Sequence, residues 1–263
     1  MSSGTHRPDL HVGTHGLLAD PSLAFQLDRW IAYGGESMLA DILGVLDRLT
    51  TLDGWRSGFL ELHERALAAG RSLDAALHLR AAEFFMVTDD PRRPSARRRF
   101  VSLMREVFGV ASPAPVRYGD VSLPVYRFSP VQPWDTVLIF GGFDSYIEEF
   151  FPIFLALRDA GIDVVAFEGP GQGAVLDEAR LPMTADWQLP VGAVLDALDL
   201  ADVTLVGVSL GGCLAIRAAA LEPRIRRVVA FDVLADFEAC LVAQIPQPRR
   251  QMLRAMRAMR TGR

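Results

Sequence analysis

Lysine is missing from this chain, in which all 27 basic residues are arginines. Without a lysine amine, the protein cannot form the side-chain Schiff base on which pyridoxal-phosphate enzymes depend. Cysteine is nearly absent as well, with Cys213 and Cys240 as the two representatives. Cys213 lies in an alanine-rich segment of helical character, where we expect a packed thiol rather than a disulfide. The sequence therefore gives no support for redox chemistry, and we predict no cofactor.

Long apolar runs are also lacking, since none reaches the roughly 20 residues that a membrane-spanning helix requires. Residues 1–16 are polar and lack the apolar centre of a signal peptide. The formal net charge of −5 argues against nucleic acid as the main partner. Arginine clusters at 92–93, 97–99 and 249–263 are expected to lie on the solvated surface. We therefore expect a cytoplasmic globular protein with neither a membrane nor a nucleic-acid partner.

The first part of the chain has helical periodicity without strand-like alternation. Apolar residues recur three and four positions apart across 23–86, and glycines divide this segment into several helices. A further helix is predicted at 95–108, where Gly109 ends it. Helices concentrated at one end of a chain suggest a separate layer. We predict a helical N-terminal or cap domain at 17–112, after a disordered leader at 1–16.

From Pro115 onward the sequence contains six short β-rich runs, and the last four alternate with helical segments. Their nearly continuous apolar composition is typical of parallel strands that helices cover on both faces. The predicted strands are 116–118, 123–128, 136–140, 164–168, 203–208 and 228–232. We predict an α/β core at 113–240, with a mostly parallel sheet that begins with an antiparallel hairpin-like pair, and a basic helical tail at 241–263.

The most informative segment is 203–224, in which a β-branched run leads through a G-x-S-x-G sequence into an alanine-rich helix. This context predicts a nucleophile elbow, a sharp turn that exposes the hydroxyl of Ser209. Gly207 and Gly211 provide the small neighbours that such a turn needs. The N–H of Leu210, at the start of the helix, is a candidate donor to a developing oxyanion. The alternative is an ordinary turn serine before a helix.

A second glycine-marked loop, 141–144, follows the predicted strand 136–140. A hydrolase with a nucleophile elbow places its second oxyanion donor at this position. We therefore take the amide of Phe143, with Gly142 beside it, as the partner of the Leu210 amide. A plain tight turn is the alternative.

Two further features do not indicate a ligand site. The loop 169–173 contains three glycines, but it matches neither G-x-G-x-x-G nor a phosphate loop with its lysine, and no helix start is expected directly after it. We interpret it as a structural turn that shapes the floor of a pocket. Glu148 and Glu149 invite a general-acid role, but adjacent residues on a regular element point apart. At most one should face a site, and a loop-stabilising or capping carboxylate is the favoured interpretation.

Several motifs in a fixed order carry a family resemblance. They are HLRAAEFFMVTDDP at 78–91, YGDVSLP at 118–124, FGGFDSYIEE at 140–149, FEGPGQG at 167–173 and GVSLGG at 207–212. Together they resemble the α/β-hydrolase superfamily, in the branch that contains 2,6-dihydroxypseudooxynicotine hydrolase and the polyketide-shortening hydrolases. The resemblance implies a serine hydrolase that cleaves a carbon-carbon bond of a small ketone or β-diketone, or an ester. It also implies that Ser209 is the nucleophile and that the helical part roofs the pocket.

The chain departs from the superfamily after the serine. The catalytic triad of this fold runs in the order serine, acid, histidine, and no histidine follows Ser209 in this sequence. The resemblance thus implies a core that lacks its C-terminal strands, its acid-bearing loop and its histidine. Asp232, at the end of its predicted strand, is a candidate acid, as are Asp236 and Glu238. A capping or loop carboxylate is the alternative for Asp232.

Three hypotheses account for this departure. The chain could be a shortened version of a longer hydrolase, or a non-catalytic protein that serves as a binding or scaffold module. In the third hypothesis, His6, His11, His15 or another subunit supplies the base. No metal site is predicted from these three histidines, because their spacing without a helix gives no fixed geometry.

The predicted last strand raises the question of what covers it. An apolar sheet edge at 228–231 would be a pairing hazard unless it were shielded. Residues 248–263 could form a helix with methionines on one side. Such a helix could cover the edge or join a homodimer, and a frayed basic helix in solvent is the alternative.

Overall fold

The computed structural model describes residues 14–87, 89–236 and 239. Most of the predicted leader, with His6 and His11, lies outside the described residues. The same holds for the predicted tail at 241–263, for Cys240 and for Glu238.

Four long helices form the N-terminal layer: α1 (Pro21–Leu43), α2 (Leu52–Ala68), α3 (Ser72–Phe84) and α4 (Arg93–Phe108). The Asp20 carboxylate caps α1 by accepting hydrogen bonds from the N–H groups of Ser22 and Leu23, at 2.9 and 3.0 Å. Gly35 interrupts α1 with φ +67° and ψ −149°, so the glycine pair expected to divide the helices produces a kink. Gly109, with φ +63°, ends α4 as predicted.

The second part of the chain forms a six-stranded sheet. Its strands are β1 (Ala114–Tyr118), β2 (Val121–Phe128), β3 (Asp135–Phe140), β4 (Ile162–Phe167), β5 (Val203–Val208) and β6 (Ile225–Phe231). The strand order is β1-β2-β4-β3-β5-β6. The first strand pairs antiparallel with β2, and β2 pairs antiparallel with β4, whereas the pairs β3–β4, β3–β5 and β5–β6 are parallel. The predicted α/β class, with a mostly parallel sheet after a hairpin, is confirmed.

Four shorter helices connect the strands: α5 (Phe151–Asp159), α6 (Gly173–Asp177), α7 (Gln188–Leu198) and α8 (Leu210–Ala219). The strands β3, β4 and β5 are almost completely buried, which explains their continuous apolar sequences. Since these strands are parallel, their carboxyl ends meet at one edge of the sheet. The loops at 141–146 and 169–173 and the residue Ser209 therefore all lie at that edge.

Two hydrophobic clusters lie on the two sides of the sheet. The larger combines the helical layer, including Trp30 and Phe100, with sheet residues such as Val164. The smaller surrounds Trp187 and Leu205. The strand β6 is the last in the strand order, and several of its apolar side chains are exposed, including Phe231 at 63%. In the part of the chain that the structure describes, no helix combines the length and apolarity needed to cross a membrane.

Candidate active site

Ser209 occupies the turn between β5 and α8, with φ +57° and ψ −121°. A non-glycine residue in this region of backbone space is strained, so the surrounding structure must hold it there. Three main-chain hydrogen bonds do so. The Ser209 N–H donates to the carbonyl oxygen of Phe231 at 2.9 Å, and the Ser209 carbonyl accepts from the N–H groups of Gly212 and Leu234 at 2.9 and 3.0 Å. The Ser209 side chain is half-buried and carries no capping hydrogen bond to α8.

The turn needs glycine at positions 207 and 211, because main-chain atoms approach both residues closely. A Cβ atom on Gly207 would lie 2.0 Å from the carbonyl oxygen of Gly211. A Cβ atom on Gly211 would lie 2.4 Å from the carbonyl oxygen of Gly141. Neither distance is compatible with a side chain, so both positions need glycine, as the motif predicted.

The loop after β3 lies directly against this turn. A Cβ atom on Gly142 would be 3.0 Å from the Cβ of Ser209 and 3.4 Å from the amide nitrogen of Leu210. The structure thus brings together Ser209, Leu210 and the loop that carries Phe143. The Gly142 N–H donates to the Ser145 hydroxyl at 3.4 Å, so it faces its own loop. The other two amides considered from the sequence are those of Phe143 and Leu210.

The sequence analysis did not identify Gln172, which lies in the loop after β4 and contacts the loop after β3. Its side-chain nitrogen donates to the carbonyl oxygens of Gly141 and Gly142, at 2.6 and 3.1 Å. Its side-chain oxygen accepts from the N–H of Gly169 at 3.0 Å. The sequence feature that could have indicated Gln172 was its position within the glycine-rich GPGQG loop. The expectation that no helix start follows this loop is wrong, because α6 begins at Gly173.

A cavity of about 430 Å³ lies between the helical layer and the loop that carries Phe143. Its lining from α3 and α4 includes Arg80 and Arg93, and Gly171 and Gly173 contribute from the loop after β4. The glycine loop therefore does form part of a cavity wall, as the sequence indicated. A volume of this size is within the range of small-molecule pockets.

The adjacent glutamates after β3 are both buried. They lie in a 3₁₀ helix at Ile147–Phe150, in which both side chains turn toward the interior. Glu149 forms ion pairs with Arg29 and Arg80, and it also accepts a hydrogen bond from the Tyr146 N–H at 2.9 Å. Burial alone would raise the pKa of Glu149, but the two arginines hold it below its ordinary value.

Glu148 has a different environment. It accepts a hydrogen bond from the Tyr126 hydroxyl at 2.8 Å, and its second oxygen has no partner within the described residues. Burial and the nearby charge of Glu168 raise the pKa of Glu148 to about 7. The prediction of loop-stabilising carboxylates fits Glu149, whereas Glu148 is a buried acid that titrates near neutrality.

The arginines at 92–93 and 97–99 are not all solvated, which corrects the sequence expectation. Arg97 is buried and pairs with Glu178 at 2.7 Å and Glu168 at 3.4 Å. Arg93 is half-buried and pairs with Glu83 at 2.8 Å and Asp177 at 3.1 Å. These contacts connect α4 to α6 and to the end of β4, so the charge cluster belongs to the junction between the layers.

The described histidines lie in the helical layer. The His63 ring contacts the Ala75 carbonyl oxygen at 2.7 Å, and the His78 ring contacts the Asp41 carboxylate at 2.9 Å. Burial lowers the pKa of His78. His15, which we had placed in a disordered leader, contacts Asp28 of α1 at 2.8 Å through its ring.

Asp232 follows β6 with φ +50°, between the two residues whose main chains hydrogen-bond to Ser209. Its side chain is exposed, as is that of Asp236. Cys213 is a free, half-buried thiol on α8, in agreement with the packed state expected from its position. Among the residues that the structure describes, no group of three histidine, cysteine or acidic side chains could hold a metal ion.

Comparison with known proteins agrees with this geometry. A family profile described as the alpha/beta hydrolase family matches residues 137–263. A solved structure named AbyA5 wildtype is 26% identical, superposes with a TM-score of 0.66, and the match covers 85% of this chain and 67% of that one. This chain has the α/β-hydrolase fold and resembles that family in sequence. The predicted superfamily is thereby confirmed.

Other relatives of this α/β hydrolase indicate its branch. Hydrolyase poxO from Penicillium oxalicum is 32% identical over 250 residues, covering 78% of this chain and 58% of the relative. The 2,6-dihydropseudooxynicotine hydrolase of Paenarthrobacter nicotinovorans is 30% identical over 224 residues, covering 76% and 60%. A solved structure of a 2,6-dihydroxy-pseudo-oxynicotine hydrolase has a TM-score of 0.53 at 27% identity, covering 74% and 62%. The chain spans about three fifths of the length of these curated relatives.

Proposed function

We propose that this α/β hydrolase cleaves small carbonyl compounds by nucleophilic attack of Ser209, at a carbon-carbon bond of a ketone or β-diketone, or at an ester. One observation carries the proposal: the strained turn at Ser209 lies in contact with the loop that bears Phe143 and with the Leu210 amide. Strain of this kind is typical of functional sites.

The proposed reaction follows from that placement. The Ser209 oxygen bonds to the carbonyl carbon, and the electron pair of the carbonyl moves onto its oxygen. The N–H groups of Phe143 and Leu210 stabilise this oxyanion, each donor being worth about 3 kcal/mol in the transition state. Collapse expels the leaving carbon or alkoxide, which takes up the proton that the Ser209 hydroxyl has lost, and water then releases the acid from the serine ester and restores the hydroxyl.

The name of the Paenarthrobacter relative supports the substrate class, because it describes a hydrolase acting on a pseudooxynicotine. Asp232 is proposed as the acid of the site, since it follows β6 next to the residues that hold Ser209. The serine hydroxyl also needs a base to react at neutral pH. No histidine of this sequence follows Ser209, so the proposal assigns the nucleophile and its oxyanion donors but no histidine.

A second candidate function is the binding of similar carbonyl compounds without turnover, and the positions of two described histidines favour it. His63 and His78 are engaged with partners inside the helical layer, which makes them poor bases for Ser209. The two candidates involve the same turn and differ in whether the Ser209 hydroxyl is activated.

Labelling of the purified chain with a fluorophosphonate distinguishes them, because this reagent reacts with activated serine hydroxyls. We expect a single adduct at Ser209, loss of the adduct in Ser209→Ala, and its retention in a control, Ser95→Ala, at an exposed position. Hydrolysis of a panel of aryl esters and β-diketones should follow the same pattern. A chain that is neither labelled nor active would contradict hydrolysis and favour binding alone.

A further inference from the structure

The GPGQG sequence after β4 contains a buried glutamine, Gln172, whose side chain contacts the main chain beside Ser209. Gln172 is 3% exposed, and both ends of its amide are occupied. The nitrogen end donates to two consecutive main-chain carbonyls, those of Gly141 and Gly142. A buried glutamine that contacts the loop beside Ser209 in this way acts on the main chain of that loop.

By holding the Gly142 carbonyl, Gln172 also sets the direction of the next main-chain N–H, that of Phe143. The Gly142–Phe143 peptide is trans and planar, so its C=O and N–H point in opposite directions. Because the side chain of Gln172 holds the Gly142 carbonyl at 3.1 Å, it also fixes the direction of the Phe143 N–H. The Gly141–Gly142 peptide behaves in the same way. Its C=O accepts a hydrogen bond from Gln172, and its N–H, which points in the opposite direction, donates to Ser145.

The loop needs such a restraint because its two glycines permit many backbone conformations. Space is limited at both glycines: a Cβ atom on Gly142 would lie 2.9 Å from the Val208 carbonyl oxygen, and one on Gly141 would lie 2.6 Å from the Ser145 hydroxyl, which would have to rotate away. Within the loop, the Ser145 hydroxyl holds the Gly142 N–H, but neither glycine has a side chain with which to fix its carbonyl. A donor from another loop can restrict it instead.

Gln172 is itself held in place by the structure around it. Its side-chain oxygen accepts from the Gly169 N–H, which fixes the orientation of the amide. The carboxylate of Glu168 binds the Ala174 N–H at 2.7 Å and the Ile147 N–H at 3.3 Å, and so connects the glutamine loop to the segment after β3. Glycine at position 173 leaves room for the Glu168 carboxylate, since a Cβ atom there would lie 1.8 Å from it.

We infer that Gln172 is a positioning residue for the oxyanion site, directing the Phe143 N–H toward the carbonyl oxygen of a substrate attached to Ser209. The inference rests on the proposed function. An oxyanion donor acts in the transition state more than in the ground state, so the effect falls on kcat rather than on KM. Since removal of one such donor lowers kcat by roughly 10²-fold to 10³-fold, loss of its positioning should lower kcat by about 10²-fold.

The first test replaces Gln172 with methionine, which keeps the length of the side chain and removes both donors. The control is Gln26→Met, at another buried glutamine, which lies in the helical layer. With p-nitrophenyl butyrate as the substrate, we expect Q172M to lose about 10²-fold in kcat with KM nearly unchanged. Q26M should retain the wild-type kcat, and thermal unfolding should show both variants folded.

The second test is Gln172→Glu, which keeps the shape but presents carboxylate oxygens to the two carbonyls. Protonation of the new carboxyl restores one donor, and its buried position raises its pKa. The ratio of the Q172E to the wild-type kcat should therefore rise as the pH falls. A purely structural role would not produce this profile, and the test also serves if Q172M fails to fold.

The outcomes separate the two proposals. If the wild-type chain neither hydrolyses the ester nor reacts with the fluorophosphonate, the proposed function fails and the role of Gln172 fails with it. If the wild type is active and Q172M matches it, or if the Q172E ratio is independent of pH, only the role of Gln172 is overturned. A fall in kcat confined to the Gln172 variants, with recovery of Q172E at low pH, supports both.

Discussion

Single residues at the turn between β5 and α8 set the conformation of Ser209. Ser209 has a positive φ, and the glycines on both sides leave room for neighbouring main-chain atoms. Gly119, in the turn between β1 and β2, has a positive φ but open space and offers a comparison, because a Cβ atom there would meet nothing within 4 Å. The two kinds of glycine should respond very differently to the same substitution.

Gly207→Ala should disrupt the turn, since the new Cβ atom would lie 2.0 Å from the Gly211 carbonyl oxygen. Overpacking against main chain destabilises by about 3 kcal/mol or more, and the displaced turn should abolish fluorophosphonate labelling of Ser209. The free energy of unfolding in urea and the extent of labelling measure the two effects. Gly119→Ala should lose only about 1 kcal/mol and keep normal labelling. Equal losses in the two variants would contradict this account.

Glu148 should make the stability of the protein depend on pH. Its pKa in the folded protein is about 7, above the ordinary 4.5. The folded state therefore binds the proton more tightly than the unfolded state, and the resulting stability is fully present below pH 4.5 and is lost as the pH rises through 7. Glu148→Gln removes this dependence, so its stability relative to the wild type should improve by up to about 3 kcal/mol between about pH 4 and pH 8.

The neighbouring Glu149 is the matched control, because its pKa is shifted in the opposite direction. Glu149→Gln leaves Arg29 and Arg80 without their common counter-charge and should lower stability by about 3–5 kcal/mol near neutral pH. Its contribution is present above the ordinary carboxyl pKa and is lost as the pH falls through the lowered one. Denaturant titrations of both variants at two pH values test the pair. A Glu148→Gln variant whose stability relative to the wild type does not change with pH would show that Glu148 is not the titrating group.

At the scale of elements, the features that could be predicted from the sequence are those that depend on local pattern and propensity. Features that depend on contacts between distant segments could not be predicted. The predicted strand at 203–208 matches β5 residue for residue, and the predicted end of α4 at Phe108 is correct because Gly109 can adopt a positive φ. These features depend on neighbouring residues in the sequence. The Ser209 turn was predictable for the same reason, since its strand, serine and helix are consecutive.

Contacts between distant segments could not be read in the same way. Gln172 meets Gly142 across 30 positions of sequence, and Arg80 meets Glu149 across 69. A charged residue in a sequence gives no sign of whether an opposite charge will face it after folding, so Arg97 resembled a surface residue. The position of Glu148 was unpredictable for a related reason, because both adjacent glutamates turn inward only in the 3₁₀ geometry at Ile147–Phe150.

The helix α3 is an element whose packing makes a prediction. Ala81 is completely buried there, and the Trp55 ring N–H donates to its carbonyl oxygen at 2.8 Å. Ala81→Leu should therefore overpack the contact between α2 and α3 and lose about 1–3 kcal/mol of stability. Ala68→Leu, at the exposed end of α2, should change stability by less than about 0.5 kcal/mol. Urea unfolding of the two variants provides the measurement, and an unchanged midpoint for Ala81→Leu would contradict the expected overpacking.

At the scale of the whole molecule, the helical layer and the sheet share interactions of two kinds. The larger hydrophobic cluster includes Leu27 and Phe100 from the helices together with Val164 and Phe151 from the α/β part. Buried ion pairs add a polar connection, since Arg80 of α3 contacts Glu149 and also donates to the Asp144 carbonyl. Breaking a buried pair is strongly unfavourable, so neither layer can be removed without exposing charges and apolar surface in the other.

We therefore expect the two layers to unfold in one transition, although the chain is longer than most two-state domains. Hydrogen exchange measured by mass spectrometry in increasing urea tests this, because it reports separately on peptides from α2–α3 and from β3–β4. The two sets should give the same free energy of opening, and Arg80→Met should lower both by a similar amount, since it removes a connection that the layers share. Exchange of the α2–α3 peptides at much lower urea than the β3–β4 peptides would show that the predicted division near 112–113 separates independently unfolding units.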